Sequence, residues 1–283
     1  MEAGRASWTA EMVAAVRADH ALHDRPVVFD DRFALALCSE ELRATIASGE
    51  FSQGFAREGM RRTRGHLVAR ARFADDALRA ALGRGARQVL VLAAGLDTTA
   101  LRCGAGVLVV EVDHPATQAL KRSRLAALAP PRARLELAPL DFETTPLVEA
   151  LAATSWDASR PGFATWLGVS MYLDAPTLRE ALRGIRAGLA PESDLVFDYP
   201  VPFEWLEGEV RRAAEEKRAL TAAHGEPKRA TWHPDALRAE LEAAGFALAH
   251  DLDSEALDAR YFAGRGDGLG ASPEHRIAHA RAV

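Results

Sequence analysis

Five short apolar runs, Gln88–Ala94, Val107–Asp113, Arg134–Asp141, Gly162–Val169 and Asp194–Tyr199, alternate with segments of helical spacing, and this alternation constrains the fold more than any other feature of the chain. Runs of this length, rich in Val, Leu or Phe, read as strands buried on both faces. Pro115–Ala127 and Pro176–Leu189 repeat apolar residues three or four apart and place Lys and Arg on the other side, as helices packed on a core do. Strand and helix in alternation imply an α/β fold, a mostly parallel sheet with helices on both faces. A helix over Pro234–Ala244 and two further strands, Phe246–Leu252 and Ala259–Ala263, bring the expected sheet to seven strands.

Before this core, residues 6–83 hold no comparable strand run, and Ala74–Leu82 is spaced as a helix up to Gly83 and Gly85. Residues 1–74 are therefore expected to form a helical lid that selects substrate, and residues 75–283 the core, with a charged helical insertion over about 200–230. A chain of 283 residues, 48% hydrophobic, can bury one large core. Its net charge of −5 offers no broad cationic face for a nucleic-acid backbone. Only Cys38 and Cys103 occur and no His cluster accompanies them, which argues against a disulfide framework or a metal site and fits a reducing cytoplasm. Glu2, Arg5, Glu11, Arg17 and Asp19 interrupt any apolar run that a signal peptide or membrane span would need. The expected partner is a small-molecule acceptor, with neither nucleic acid nor membrane, and the protein a monomer or a homodimer.

In an open α/β sheet ligands bind beyond the carboxyl ends of the strands, where strand order reverses. The first such turn reads Ala93-Ala94-Gly95-Leu96-Asp97-Thr98. Gly95 permits close approach of a ligand to the backbone. The turn lacks the third glycine of a dinucleotide fingerprint, and Asp97 would repel a pyrophosphate. Asp97 suits a ligand carrying an ammonium and a sulfonium, as S-adenosylmethionine (SAM) does, although capping the next helix is an equal alternative. The second strand ends in Glu111-Val112-Asp113-His114-Pro115, where an acidic residue can accept from both ribose hydroxyls. Asp113 is preferred over Glu111 for that role, with helix capping before Pro115 as the alternative. Asp141 can receive an adenine amino group and Phe142 can wall the ring.

The ordered segments Arg70-Ala71-Arg72-Phe73-Ala74-Asp75-Asp76, Ala94-Gly95-Leu96-Asp97-Thr98, Glu111-Val112-Asp113-His114-Pro115, Asp141-Phe142 and Gly168-Val169-Ser170-Met171-Tyr172-Leu173 resemble the leucine carboxyl methyltransferase family, in particular its bacterial branch of SAM-dependent methyltransferases. The resemblance runs from roughly Arg61 to the C-terminus. It implies a class I methyltransferase, Rossmann-like fold with SAM as cofactor and S-adenosylhomocysteine (SAH) as product. It further implies that Arg70 binds the SAM carboxylate, for which a forked guanidinium is suited. Two positions depart from the family pattern: Ala93 stands where the first glycine of the turn is expected, and Leu167 where a Glu precedes the Gly-Val pair.

The expected reaction is O-methylation of a carboxyl or hydroxyl group on a small molecule such as a polyketide-like intermediate. The alternative is a SAM-binding enzyme that does not transfer methyl, such as a cyclase. Tyr172 and His233 are the candidate catalytic residues, with His114 and Tyr199 as further pocket candidates. The aromatic residues Trp8, Phe29, Phe33, Phe51, Phe55, Phe203 and Trp205 fit either an apolar acceptor pocket or plain core.

Overall fold

The computed structural model describes residues 7–142 and 145–283; residues 1–6 of the expected lid lie outside them. Four helices come first: α1 (Trp8–His23), α2 (Glu40–Ala47), α3 (Glu50–Gln53) and the long α4 (Glu58–Gly83). The core follows as β1 (Gln88–Leu92), α5 (Thr99–Arg102), β2 (Leu108–Asp113), α6 (Pro115–Leu125), β3 (Arg134–Pro139), α7 (Leu147–Ala152), β4 (Phe163–Trp166), α8 (Ala175–Ala187) and β5 (Asp194–Pro200). The chain ends with α9 (Gly208–Ala223), α10 (Pro234–Ala243), β6 (Phe246–Leu252), α11 (Ser254–Tyr261) and β7 (His275–Ala282).

The seven strands form one sheet in the order β3-β2-β1-β4-β5-β7-β6, parallel except for β7, which runs antiparallel to both neighbours. Apolar residues alternate between its two covered faces. Leu90, Leu92, Val110, Val112, Ala164, Trp166, Leu195 and Phe197 meet the side chains of α7, α8 and α10. Val89, Val91, Val109, Phe163 and Val196 meet Val68, Phe73 and Leu78 of α4 on the other. Burial of both faces is why the strands read as near-continuous apolar runs.

One expected strand is corrected. Ala259–Ala263 lies in and just after α11, because the Asp253 carboxylate accepts from the Ala256 amide and caps a helix there. The seventh strand is instead His275–Ala282, whose His, Arg and Ala content has little strand character of its own. It is held by its two neighbours, β5 and β6.

Residue 74 falls inside α4, which runs unbroken from the lid region into the core. Two glycines let that helix be approached closely. A Cβ on Gly59 would lie 2.3 Å from the Glu209 carbonyl oxygen of α9, and one on Gly65 would lie 2.1 Å from the Gly270 carbonyl oxygen. The expected insertion thus supplies α9, which packs across the N-terminal part of α4. Among the described residues no helix is long and apolar enough to cross a membrane.

Candidate functional site

Leaving β1, the chain passes to β2 on one side of the sheet, and β4 lies on the other, so the order reverses at β1. A cavity of about 900 Å³ opens there, beyond the carboxyl ends of the strands. Its lining includes Ala93, Gly95 and Asp97 after β1, Asp113 and His114 at the end of β2, Asp141 and Phe142 after β3, and Leu167 and Gly168 after β4. Helix α1 contributes Trp8, Ala10 and Val13, helix α4 contributes His66 and Arg70, and α9 with the segment after it contributes Lys217, Leu220 and Glu226.

The turn after β1 is shaped by backbone constraints. Ala93 and Gly95 both adopt left-handed conformations, with φ of 49° and 50°. That conformation costs nothing at Gly95 but about 1–2 kcal/mol at Ala93. The Asp113 carboxylate braces the turn, accepting from the Gly95 amide at 2.5 Å and from its neighbour His114 at 2.6 Å. Burial raises its pKa against the lowering effect of those amides. Each oxygen keeps a second lone pair, which suits a vicinal diol. His114, rather than Asp113, caps α6, its Nδ1 accepting from the Ala116 amide.

Asp97 does contact the helix that follows, accepting from the Thr99 amide at 2.6 Å, while its residue also lines the cavity. Burial pushes its pKa up, yet Lys121, Arg102 and Arg17 together hold it below the usual value, so it stays anionic. Glu111, expected beside Asp113, does not line the cavity; it lies fully buried and paired with Lys121. Burial raises its pKa to about 7 despite that cation.

Arg70 reaches the opposite wall. Its guanidinium donates to Asp198 Oδ2 at 2.7 Å and lies against Gly168, where a Cβ would approach it to 3.2 Å. Asp198 Oδ1 accepts from the Gly168 amide at 2.5 Å, so one carboxylate fixes both the arginine and the turn after β4. Burial alone would raise the Asp198 pKa, but Arg70 and nearby His side chains hold it far below the carboxylate range. Asp198 is a site residue not anticipated above, and its signal in the sequence is an acid within the buried run Val196-Phe197-Asp198-Tyr199. Arg72 takes no part: it pairs with Asp76 and donates to the Val28 carbonyl.

Of the catalytic candidates, Tyr172 lines the cavity; burial and the nearby Glu226 push its pKa up to about 12, so it is a neutral phenol. His233 does not reach the cavity. It precedes α10 with a side chain 53% exposed and meets Trp205 edge to face. Tyr199 is core, its hydroxyl donating to Asp251 on β6. Trp8, Phe29 and Phe55 line the cavity, whereas Phe33, Phe51, Phe203 and Trp205 do not. Among the described residues no group of three or more His, Cys, Asp or Glu side chains is placed to hold a metal ion.

The site therefore presents carboxylates at the ends of β1 and β2 and a held guanidinium across from them, a distribution suited to a ligand with a cationic centre, a diol and a carboxylate. Comparison with known proteins agrees. The Leucine carboxyl methyltransferase family model matches residues 10–186. YktD of Bacillus subtilis, named as a candidate S-adenosyl-L-methionine-dependent methyltransferase, is 28% identical over 99% of both chains. A protein of Mycolicibacterium paratuberculosis with the same description is 35% identical over 68% of this chain and 65% of its own length. In fold, the chain is similar to a crystal structure of a DUF574 family protein from Streptomyces avermitilis (TM-score 0.61, 18% identity, 99% of both chains). It is also similar to that of a candidate methyltransferase from Thermobifida fusca (TM-score 0.60, 16% identity, 99% and 96% of the two chains). The cofactor is SAM, and the chain, a SAM-dependent methyltransferase with the class I Rossmann-like fold, belongs to the leucine carboxyl methyltransferase family.

Proposed function

We propose that the protein transfers the methyl group of SAM to a carboxyl or hydroxyl oxygen of a small, largely apolar molecule, such as a polyketide-like natural-product intermediate. The size and lining of the cavity carry this reading. Its volume of about 900 Å³ is near the upper end of the range for small-molecule sites, about 300–1,000 Å³, and so leaves room for an acceptor beside the cofactor. Trp8, Phe55, Met60, Leu67 and Leu220 give that further space apolar walls.

In this reading Arg70 takes the amino-acid carboxylate of SAM, Asp97 faces its ammonium and sulfonium end, and Asp113 takes the ribose. Asp141 and Phe142 lie at the adenine end, and Phe142, 48% exposed, has an open ring face to offer. SAM supplies an electrophilic methyl whose transfer is an in-line displacement, so the protein contributes mainly alignment and exclusion of water. The Glu that the family resemblance leads one to expect at Leu167 is missing, but the Asp198 carboxylate contacts the very next residue, Gly168.

The test is incubation with methyl-labelled SAM and a panel of small aromatic acids, phenols and alcohols. Formation of SAH with label on an oxygen is expected. Label on nitrogen or carbon alone would sink the oxygen assignment, and a converted acceptor with SAM unconsumed would point to the non-methylating alternative.

A further inference from the structure

The cavity holds a pair of buried imidazoles to which the cofactor roles give no task. His66 of α4 and His275 at the start of β7 both line it, are 2% and 7% exposed, and stack with ring centroids 5.1 Å apart. None of their four ring nitrogens has a hydrogen-bond partner among the described residues. Each has one nitrogen 3.9 Å from a buried carboxylate, His66 Nε2 from Asp198 and His275 Nδ1 from Glu274, beyond hydrogen-bond reach. Leaving such groups unsatisfied costs about 1–3 kcal/mol each, so a pair of them facing a cavity marks a place where a ligand is to be met.

We propose that His66, stacked on His275, is the catalytic base that takes the proton of an acceptor hydroxyl, so the acceptor is a phenol or enol and not a carboxylic acid. This rests on the oxygen-transfer reading above. The groups facing His66 are Arg70 on its own helix, Asp198 on β5, and Glu274 and His275 before and at β7. Burial holds both imidazoles below the usual pKa, so each is neutral and offers one N–H and one lone pair. A hydroxyl satisfies both kinds of site, donating its proton and accepting an N–H; a carboxylate brings no donor and leaves the lone pairs unmet. His66 is chosen as base because its carboxylate, Asp198, also holds Arg70 and Gly168 at the methyl-donor end. Lys217 and Lys228 both pair with the carboxylate of Glu274, which keeps that carboxylate from competing for the proton taken by His66.

In the step, the O–H bond breaks and the proton passes to His66. The oxygen's electron pair forms the O–CH3 bond while the C–S pair returns to sulfur, giving a neutral thioether. The imidazolium left behind is stabilised by Asp198 and later loses its proton to solvent.

Two measurements on the full chain test this. First, nitrogen NMR of isotope-labelled histidines follows titration of the SAH complex with phenol or benzoate, with His66→Gln and His275→Gln identifying the signals. Phenol is expected to shift both ring systems and benzoate to leave them unmoved; no response to millimolar phenol, or an equal response to benzoate, overturns the proposal. Second, His66→Gln is expected to lose about a hundredfold or more in kcat/KM on phenol but only a few-fold on para-nitrophenol, which ionises near neutrality without a base. An equal loss on both, with SAH affinity intact, assigns His66 a structural role and overturns the base. Methylation of benzoate but not phenol overturns the base while preserving oxygen transfer, whereas methyl on nitrogen or carbon alone overturns oxygen transfer itself.

Discussion

The Cβ that Gly95 lacks would sit 2.9 Å from the Cβ of Ala10, so the cofactor turn and the first turn of α1 share one contact surface. Gly95→Ala must both adopt a left-handed φ, at about 1–2 kcal/mol, and push α1 away. A lower melting temperature and a loss of SAM affinity of about tenfold or more, read by calorimetric titration, are expected. Adding Ala10→Gly should recover the steric part and leave the backbone part.

Ala93→Gly works in the other direction. The left-handed φ of 49° costs Ala93 about 1–2 kcal/mol, and the extra freedom of glycine in the unfolded chain takes back about 0.5–1 kcal/mol. A net gain of about 0.5–1 kcal/mol, a rise of roughly 2 °C in thermal denaturation, is the expected result. An unchanged or lower melting temperature would show that the methyl of Ala93 makes compensating contacts.

Asp113→Ala leaves the Gly95 and His114 amides without their acceptor and removes the proposed ribose contact. Hydrogen bonds to a charged group contribute about 1.5–3 kcal/mol, so SAM should bind roughly thirtyfold more weakly. Asp141→Ala, at the exposed end of the cavity, should cost less. Equal losses would show that the two carboxylates carry the cofactor alike.

Asp198→Asn discharges a buried pair from one side, which costs about 3–5 kcal/mol and should lower stability sharply. The double variant Asp198→Asn with Arg70→Met should restore much of that stability but not SAM affinity. Recovery of affinity as well would show that Arg70 does not meet the cofactor.

Glu111 gives the pH dependence a definite sign. Its pKa rises from 4.5 to about 7 on folding, so its contribution is fully present below 4.5 and is lost as pH rises through 7. The shift corresponds to on the order of 3 kcal/mol. Relative to the double variant Glu111→Gln with Lys121→Met, the natural chain should therefore lose ground from mildly acid to mildly alkaline pH in urea denaturation. A pH-independent difference would contradict the raised pKa.

Much of this could be read from the residues because two-sided burial leaves a clear pattern. The five parallel strands and the helices over Pro115–Leu125, Ala175–Ala187 and Pro234–Ala243 follow from apolar spacing. The strand His275–Ala282 could not be read that way, since its place depends on partners far away in sequence. The turn residues Ala93, Gly95, Asp97 and Asp113 gather where a strand-end rule puts them. Glu111 escaped the rule because its side chain turns under α6 to Lys121, and His275 because nothing local ties it to His66. Asp198 was legible in principle, as a charge in an apolar strand.

Gly59 and Gly65 of α4 bear on how the protein is assembled. Gly65, inside the helix, costs it about 1 kcal/mol relative to alanine and Gly59, in its first turn, less, and what offsets this is contact with α9 and with Gly270, segments made much later in synthesis. A nascent chain that has produced only α4 and the first strands has the sheet face that covers Val68, Phe73 and Leu78 but lacks the segments that pack on Gly59 and Gly65. The wall bearing His66 is thus completed only when the last strand brings His275 against it, and C-terminal truncation ahead of Gly270 would leave the five parallel strands without the imidazole pair that faces the acceptor.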